Sequence, residues 1–187
     1  MDRVEKLAAA IARLKAEDRE RLFRLLAQRG GWPPRAGRAS QRELISPLPQ
    51  GNRRPDYVLV FDGGSKGNPG WGYGSYAIMR VQDGAQRVER LDFGEGYTNN
   101  EAEYDSLIAG LQDLLDRIEG AGRQPQEFAV QVRGDSSLVI KQVLGQWKAK
   151  DARMRERRDR CRSLLGRFGN VELRLQPREE SVRVLGH

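Results

Sequence analysis

The 187-residue chain contains one cysteine, one histidine and no long run of apolar residues. The single Cys161 excludes an internal disulfide and leads us to expect a reducing compartment such as the cytoplasm. No stretch approaches the roughly 18 consecutive apolar residues that a membrane span needs. Charged residues interrupt the N-terminus every few positions, unlike a secretory signal. We therefore expect a cytoplasmic protein that does not associate with a membrane.

Charge is unevenly distributed along the chain, whose formal net charge is +7. Residues 1–55 carry 13 Lys and Arg against 6 Asp and Glu, and residues 56–140 carry 7 against 14. Residues 141–168 carry 10 against 3. An acidic segment followed by a basic one is expected of a metal-dependent enzyme with a polyanionic substrate. The alternative for the basic segment is a solvated helix face.

Sequence patterns divide the chain into three parts. Apolar residues at helical spacing within residues 3–15 and 18–29 predict a helical hairpin over residues 1–30. Residues 31–55, rich in Pro, Gly, Arg and Ser, are typical of a linker. Residues 56–187 form the remaining domain. The hairpin is expected to pack on this domain, on a second copy of the chain or on a protein partner.

The third part is predicted to be an α/β domain with a mixed five-stranded sheet flanked by helices. Three strands joined by glycine-containing turns indicate an antiparallel meander, followed by a helix, a strand, two helices and a strand. The strands are expected at 57–62, about 72–80, about 86–93, 127–133 and 171–175, and the helices at about 100–118, 136–146 and 152–167. The first and fourth strands are expected to be parallel neighbours, which brings Asp62 and Asp135 to one edge of the sheet.

Asp62, Glu103 and Asp135 occupy positions where a structural carboxylate is poorly placed. Asp62 ends an apolar strand before a glycine-rich turn, Glu103 lies on the apolar face of a helix, and Asp135 joins a strand to a helix. Converging acids repel one another unless cations lie between them, and hard oxygen ligands suit Mg²⁺ or Mn²⁺. Taken singly, each acid also has an ordinary explanation as a turn former, a surface acid or an N-cap.

Three blocks that contain these acids resemble the signature blocks of type 1 ribonucleases H, nearest to the bacterial and archaeal subgroup described as reverse-transcriptase-like. They are Asp-Gly-Gly-Ser-Lys-Gly-Asn-Pro-Gly at 62–70, Thr-Asn-Asn-Glu-Ala-Glu-Tyr at 98–104 and Gly-Asp-Ser-Ser at 134–137. The resemblance covers about residues 56–180. It implies a ribonuclease H-like fold and an endonuclease that hydrolyses the RNA strand of RNA/DNA hybrids.

The resemblance also implies a metal site. Asp62, Glu103 and Asp135 would bind two Mg²⁺ or Mn²⁺ ions about 4 Å apart, one activating a water and the other stabilising the leaving 3′ oxygen. Where the family has a fourth acid, this chain has Leu185. His187 could replace it through its imidazole, which suits Mn²⁺ better than Mg²⁺, or through a terminal carboxylate if the chain ends there. The alternative is a frayed terminus without a role.

Substrate contacts follow from the same resemblance. Gly63, Ser65, Asn68, Asn99 and Asn100 fall in the blocks that line the minor groove of a hybrid, where the 2′-hydroxyl distinguishes RNA from DNA.

Further contacts are expected after the third block. Gln142 either reaches the same groove or is a solvated surface residue. Trp147 and Lys148 resemble the segment with which the family grips the DNA strand, since an aromatic ring flanked by lysines suits sugar stacking and phosphate contact. Trp147 could instead belong to the core, and Trp71 is expected to be structural.

The sequence is also compatible with two other functions. The domain could be a nuclease of the same superfamily that acts on double-stranded RNA. It could also be a non-catalytic module that binds hybrids, although its three acids argue against a loss of activity.

Overall fold

The computed structural model of the chain describes residues 47–51 and 53–186. These residues form the expected mixed five-stranded sheet with four α-helices. The strands are β1 (Tyr57–Gly67), β2 (Gly70–Arg80), β3 (Gln86–Tyr97), β4 (Ala129–Gly134) and β5 (Asn170–Leu175). The helices are α1 (Asn99–Gly120), α2 (Ser137–Val143), α3 (Ala152–Leu165) and α4 (Arg178–Leu185).

The sheet order is β3-β2-β1-β4-β5, with β1 antiparallel to β2 and parallel to β4. The last paired residues of β1 and β4 are Val60 and Arg133. The same register continued by two residues sets Asp62 opposite Asp135. The prediction that the two parallel strands are neighbours is therefore confirmed.

β1 continues through the glycine-rich segment that was expected to be a turn. Residues 63–67 pair with β2 as far as Gly67 and Gly70, and the chain reverses at Asn68 and Pro69. The prediction that the strand ends at Asp62 is wrong. At least one of these glycines makes space for a neighbouring helix and does not reverse the chain. A Cβ at Gly63 would lie 2.5 Å from the backbone carbonyl of Ala102 in α1. Glycine therefore permits the start of α1 to pack directly on β1.

Helix α1 is the central element of the main core. A capping box fixes its start, with the Thr98 hydroxyl accepting from the N–H of Glu101 and the Glu101 carboxylate accepting from the N–H of Thr98. Leu107 and Leu111 of α1 are fully buried in the cluster that contains Phe61 of β1. Burying each such leucine contributes about 1.5–3 kcal/mol relative to exposure. This packing holds the capped end of α1 against the strand that carries Asp62.

Helix α4 packs on a second, smaller core cluster. Leu185, near its end, is buried with Val58 and Val60 of β1 and Ala77 of β2. The helix ends at Leu185 and is capped by Gly186, whose positive φ of 77° favours glycine. The position where the family resemblance placed a fourth acid is therefore an apolar anchor for α4.

Several expectations fall outside the described residues. The helical hairpin over residues 1–30, most of the linker over residues 31–55 and His187 are among them. Among the helices that the structure describes, none is long and apolar enough to cross a membrane.

Substituting Gly63 by alanine tests the close packing of α1 on β1. The added methyl group would also lie 2.6 Å from the backbone nitrogen of Glu103. Overpacking of this kind costs about 1–3 kcal/mol, so we expect Gly63→Ala to lower the free energy of unfolding by about that amount in urea titrations.

Gly120→Ala is the matched control. A Cβ at Gly120, the last residue of α1, meets nothing within 4 Å. This substitution should leave stability unchanged or raise it by up to about 1 kcal/mol. Equal stability of Gly63→Ala and the unsubstituted protein would contradict the packing account.

Candidate active site

Asp62, Glu103 and Asp135 come from β1, α1 and the junction between β4 and α2. Asp62 is 4% exposed, and its Oδ1 accepts a hydrogen bond from the N–H of Gly63 at 2.8 Å. The carboxylates of Asp62 and Asp135 both raise the pKa of Glu103. The three acids are thus close enough to interact electrostatically, as the sequence predicted.

Glu103 has the most strongly perturbed environment of the three acids. Burial is the largest effect and raises its pKa, the charges of Asp135 and Asp62 raise it further, and the pKa reaches about 7. The hydroxyl of Ser136 donates a hydrogen bond to the Glu103 carboxylate and opposes this shift. The same hydroxyl accepts from the N–H of Val139 and caps α2. Ser136 therefore links the helix that follows Asp135 to Glu103.

Arg178 brings a positive charge to the cluster. Its Nη1 lies 3.6 Å from Oδ2 of Asp135, and its side chain is 69% exposed. Burial and the charge of Asp62 raise the pKa of Asp135, while Arg178 lowers it. Sequence reasoning missed Arg178, since nothing local shows that the first turn of α4 reaches a residue 43 positions earlier.

The donor set fits a divalent ion in its chemistry. Carboxylate oxygens are the ligands that Mg²⁺ and Mn²⁺ prefer. Burial raises the pKa values of Glu103 and Asp135, and the charge of a neighbouring acid raises each of them further. Within residues 47–51 and 53–186, however, no three His, Cys, Asp or Glu side chains stand in a ready-made metal-binding arrangement. The side chains would have to adjust around an ion.

Two neighbouring acids on α1 are engaged by α3 rather than by the cluster. Glu101 is buried in the capping box and forms ion pairs with Arg153 and Arg157 of α3 at 3.2 and 3.6 Å. Asp105 accepts two hydrogen bonds from Arg157, at 3.0 and 3.1 Å. These acids tie α3 to α1 and are not free to join Glu103.

Polar residues from the β-hairpin formed by β1 and β2 and from the start of α1 lie beside the carboxylates. The Asn99 side-chain oxygen accepts from the N–H of Ser65 at 2.8 Å, and the Asn99 N–H donates to the Asn68 side chain at 3.3 Å. The Ser65 hydroxyl donates to the carbonyl of Tyr97 at 2.7 Å. Asn100 is exposed next to them. The structure thus brings together the residues expected to meet a minor groove.

Gln142 does not face solvent. It is 6% exposed, its side-chain oxygen accepts from the Tyr104 hydroxyl at 2.8 Å, and its amide donates to the carbonyl of Lys148 at 3.4 Å. Both the expected groove contact and the solvated alternative are wrong, because the short helix α2 turns this residue towards α1. Gln142 instead supports the segment that carries Trp147 and Lys148.

Trp147 lies on the surface, 46% exposed, so the alternative that it belongs to the core is wrong. The ammonium group of Lys141 lies 4.5 Å from the centre of its ring, a cation–π contact. Lys148 and Lys150 are exposed on the same segment. An exposed ring among three lysines is suited to a nucleic-acid backbone.

The sheet order and the placement of the acids define a ribonuclease H-like protein. The sequence model of the family named "Reverse transcriptase-like" matches residues 60–184. The chain belongs to this family, which confirms the resemblance to ribonucleases H.

Relatives and solved structures agree with this assignment. "Ribonuclease HI" of Halobacterium salinarum is 37% identical over 142 residues, which is 74% of this chain and 65% of the relative. "Bifunctional protein Rv2228c" of Mycobacterium tuberculosis is 35% identical over 67% of this chain and 32% of its own length. LC11-RNase H1, solved in complex with an RNA/DNA hybrid, is 29% identical with a TM-score of 0.60, covering 68% of this chain and 90% of that one. The chain therefore spans less than two thirds of the two curated relatives.

The raised pKa of Glu103 predicts a pH-dependent stability without metal. The folded state binds this proton more tightly than the unfolded chain, so stability falls as pH rises from about 4.5 to 7. Glu103→Gln cannot ionise. We compare the free energies of unfolding of the two proteins in urea titrations with a chelator. Between acidic and mildly basic pH, the difference between them should shift in favour of Glu103→Gln by at most about 3 kcal/mol.

Glu95→Gln, which removes an exposed carboxylate from β3, is the control for the loss of one carboxylate. If the difference in free energy of unfolding between Glu103→Gln and the unsubstituted protein is the same at both pH values, the raised pKa of Glu103 is contradicted. A divalent cation should reduce this difference at basic pH, because it binds and stabilises the folded protein that retains all three carboxylates.

Proposed function

We propose that this chain is a ribonuclease H that hydrolyses the RNA strand of RNA/DNA hybrids with divalent metal ions. The observation that carries the proposal is the meeting of Asp62, Glu103 and Asp135 beside the polar cluster of Ser65, Asn68 and Asn99. A relative named Ribonuclease HI and a structural neighbour solved with an RNA/DNA hybrid support it.

Asp62, Glu103 and Asp135 are the proposed metal ligands. Two Mg²⁺ or Mn²⁺ ions, when bound, would supply an activated water and stabilise the leaving oxygen. The chain's own groups orient the ligands: the N–H of Gly63 holds Oδ1 of Asp62, and the hydroxyl of Ser136 holds the Glu103 carboxylate. Arg178 offsets part of the negative charge at Asp135. These contacts limit how far the carboxylates move when an ion enters.

Substrate choice is proposed to come from two surfaces on either side of the acids. Ser65, Asn68, Asn99 and Asn100, with the backbone of Gly63, would read the minor groove, where amides can contact the 2′-hydroxyl of RNA. Trp147 and Lys148 would hold the DNA strand by stacking on a sugar and contacting phosphate.

Double-stranded RNA is the second candidate substrate, because a minor-groove reader of 2′-hydroxyls meets them on both strands of that duplex. Trp147 and its lysines favour the hybrid, since a flat ring against the backbone suits a sugar without a 2′-hydroxyl. A non-catalytic binding module is the remaining alternative. The meeting of three like charges at Glu103 disfavours it, because a cluster that binds no cation keeps this repulsion without benefit.

Replacing each acid by its amide tests the site. Asp62→Asn, Glu103→Gln and Asp135→Asn should each lower the rate of hybrid cleavage in Mg²⁺ by at least about a hundredfold, because a metal ligand supplies several kcal/mol of transition-state stabilisation. Hybrid binding should change much less. Rates are compared on matched RNA/DNA, RNA/RNA and DNA/DNA duplexes.

Asp116→Asn is the matched control, since it removes an exposed carboxylate from the far half of α1. It should cleave hybrids at the normal rate. Near-normal cleavage by any of the three amide variants would remove that residue from the proposed ligand set. Equal cleavage of RNA/RNA and RNA/DNA would replace the hybrid by double-stranded RNA as the substrate.

His187 remains a proposed fourth ligand. Leu185 is buried and its side chain has no atom that could bind a metal ion. His187→Ala should reduce turnover more than binding, and more in Mg²⁺ than in Mn²⁺, because Mg²⁺ demands stricter geometry. Extending the chain beyond His187 should preserve imidazole ligation and abolish ligation by a terminal carboxylate. Equal turnover of His187→Ala and the unsubstituted protein in both metals would leave three carboxylate ligands.

Two further proposals rest on the sequence alone. The predicted hairpin over residues 1–30 would contact a protein partner or a second copy. A cytoplasmic location would suit the single buried Cys161.

A further inference from the structure

Two exposed aromatic rings lie on the hairpin formed by β1 and β2. Trp71 is 45% exposed and Tyr73 is 40% exposed, so the expectation that Trp71 is structural is wrong. Neither residue belongs to the polar cluster or to the segment around Trp147. They are large apolar groups on the surface without an assigned role.

The register of the hairpin places both rings on the same face as Asp62. Directly opposite residues of an antiparallel pair share a face, and the pairs are Asp62 with Ser75, Gly64 with Tyr73 and Lys66 with Trp71. A Cβ on Gly64 would lie 2.7 Å from the Tyr73 hydroxyl, which shows the ring crossing over this glycine. From Asp62 outward, the face therefore carries Tyr73, then Trp71 beside Lys66.

The opposite face of the hairpin packs on α1 and Tyr97 and carries the polar cluster. A Cβ on Gly74 would meet the Ser106 hydroxyl of α1, and one on Gly72 would lie 2.6 Å from Tyr97. Ser65, on that face, is bonded to Asn99 and Tyr97. The rings of Tyr73 and Trp71 thus lie on the solvent-exposed face of the hairpin.

We propose that Tyr73, Trp71 and Lys66, the aromatic strip, bind a single-stranded stretch of the RNA strand that leaves the hybrid next to the cleaved bond. This inference rests on the proposed function. The strip begins two residues from Asp62, so the strand held at the carboxylates is the one that can reach it. At about 3.4 Å per residue the rings lie about 7 and 14 Å along the hairpin from Asp62.

The chemistry of the strip fits a single strand. At about 3.4 Å per nucleotide, the distance from Asp62 to Tyr73 corresponds to about two stacked nucleotides and the distance to Trp71 to about four. Exposed rings stack on any unpaired base, whereas bases within a duplex are already stacked on each other. Lys66 is exposed and supplies a positive charge for a phosphate. Asp92, opposite Tyr73 on β3, accepts a hydrogen bond from the N–H of Gly94 at 3.0 Å.

A protein partner fits the strip less well. An aromatic side chain presents about 150–250 Å², so two rings less than half exposed offer about 200 Å². Stable protein interfaces bury about 800 Å² on each partner. The strip is large enough for a few nucleotides and too small to be the centre of an apolar protein interface.

Binding of labelled hybrids to the full chain, with a chelator present to prevent cleavage, tests the proposal. The substrates are a blunt hybrid, the same hybrid with a single-stranded RNA extension at either end, and the same hybrid with a DNA extension. Trp71→Ala and Tyr73→Ala should each weaken binding of one RNA-extended hybrid by about tenfold, and Trp71→Phe should restore most of it. Binding and Mg²⁺-dependent cleavage of the blunt hybrid should not change.

Leu175→Ala, which truncates another exposed apolar residue, is the control and should bind every substrate normally. Equal loss on blunt and extended hybrids, or no loss on either, would overturn the proposal. Self-association by light scattering that disappears in Trp71→Ala would also overturn it, in favour of a second copy. Should the unsubstituted protein neither bind nor cleave the blunt hybrid, the proposed function fails, and ring-dependent binding of an RNA oligonucleotide then decides whether the strip binds single strands.

Discussion

The close approach of helix α1 to β1 at Gly63 is the constraint on which the site depends. The backbone of Ala102 and Glu103 occupies the volume that a side chain at residue 63 would fill. Leucines of α1 buried against Phe61 hold the helix there. Asp62 precedes Gly63 and Glu103 belongs to the contact, so the two acids are brought close in spite of their charges. The stability of the core thus offsets the repulsion between the acids.

That repulsion gives the site its chemical character. Burial and neighbouring charge raise the pKa of Asp135 and raise that of Glu103 to about 7. Below about pH 7 an ion that binds the Glu103 carboxylate must therefore displace its proton. Ser136 and Arg178 moderate the effect without abolishing it. Carboxylates that the fold holds together against their mutual repulsion are typical of a functional site. The aromatic strip extends the same ribbon outward from Asp62, which would allow one hairpin to bind both the duplex and its departing strand.

The sequence predicted the convergence of the acids because each sits at an element that strand order brings to one place. It also predicted the polar cluster, through the blocks that contain Asn68 and Asn99. It failed where the relevant contact is tertiary. The glycines after Asp62 predict a turn, although Gly63 makes room for α1. Gln142 was placed at the surface, since a seven-residue helix shows no clear apolar face and its partner Tyr104 lies 38 residues away. Arg178 could not be found without the packing of α4.

The three acids are proposed to form a cation site in which a bound ion displaces the proton held by Glu103. Calorimetric titration with Mn²⁺ in buffers of different ionisation enthalpy counts the protons released per ion. At about pH 6, below the pKa of about 7 for Glu103, the account predicts Mn²⁺ binding with proton release that disappears at clearly basic pH and in Glu103→Gln. Binding that is unaffected by substitution of Asp62, Glu103 and Asp135, or that releases no proton at either pH, would contradict it.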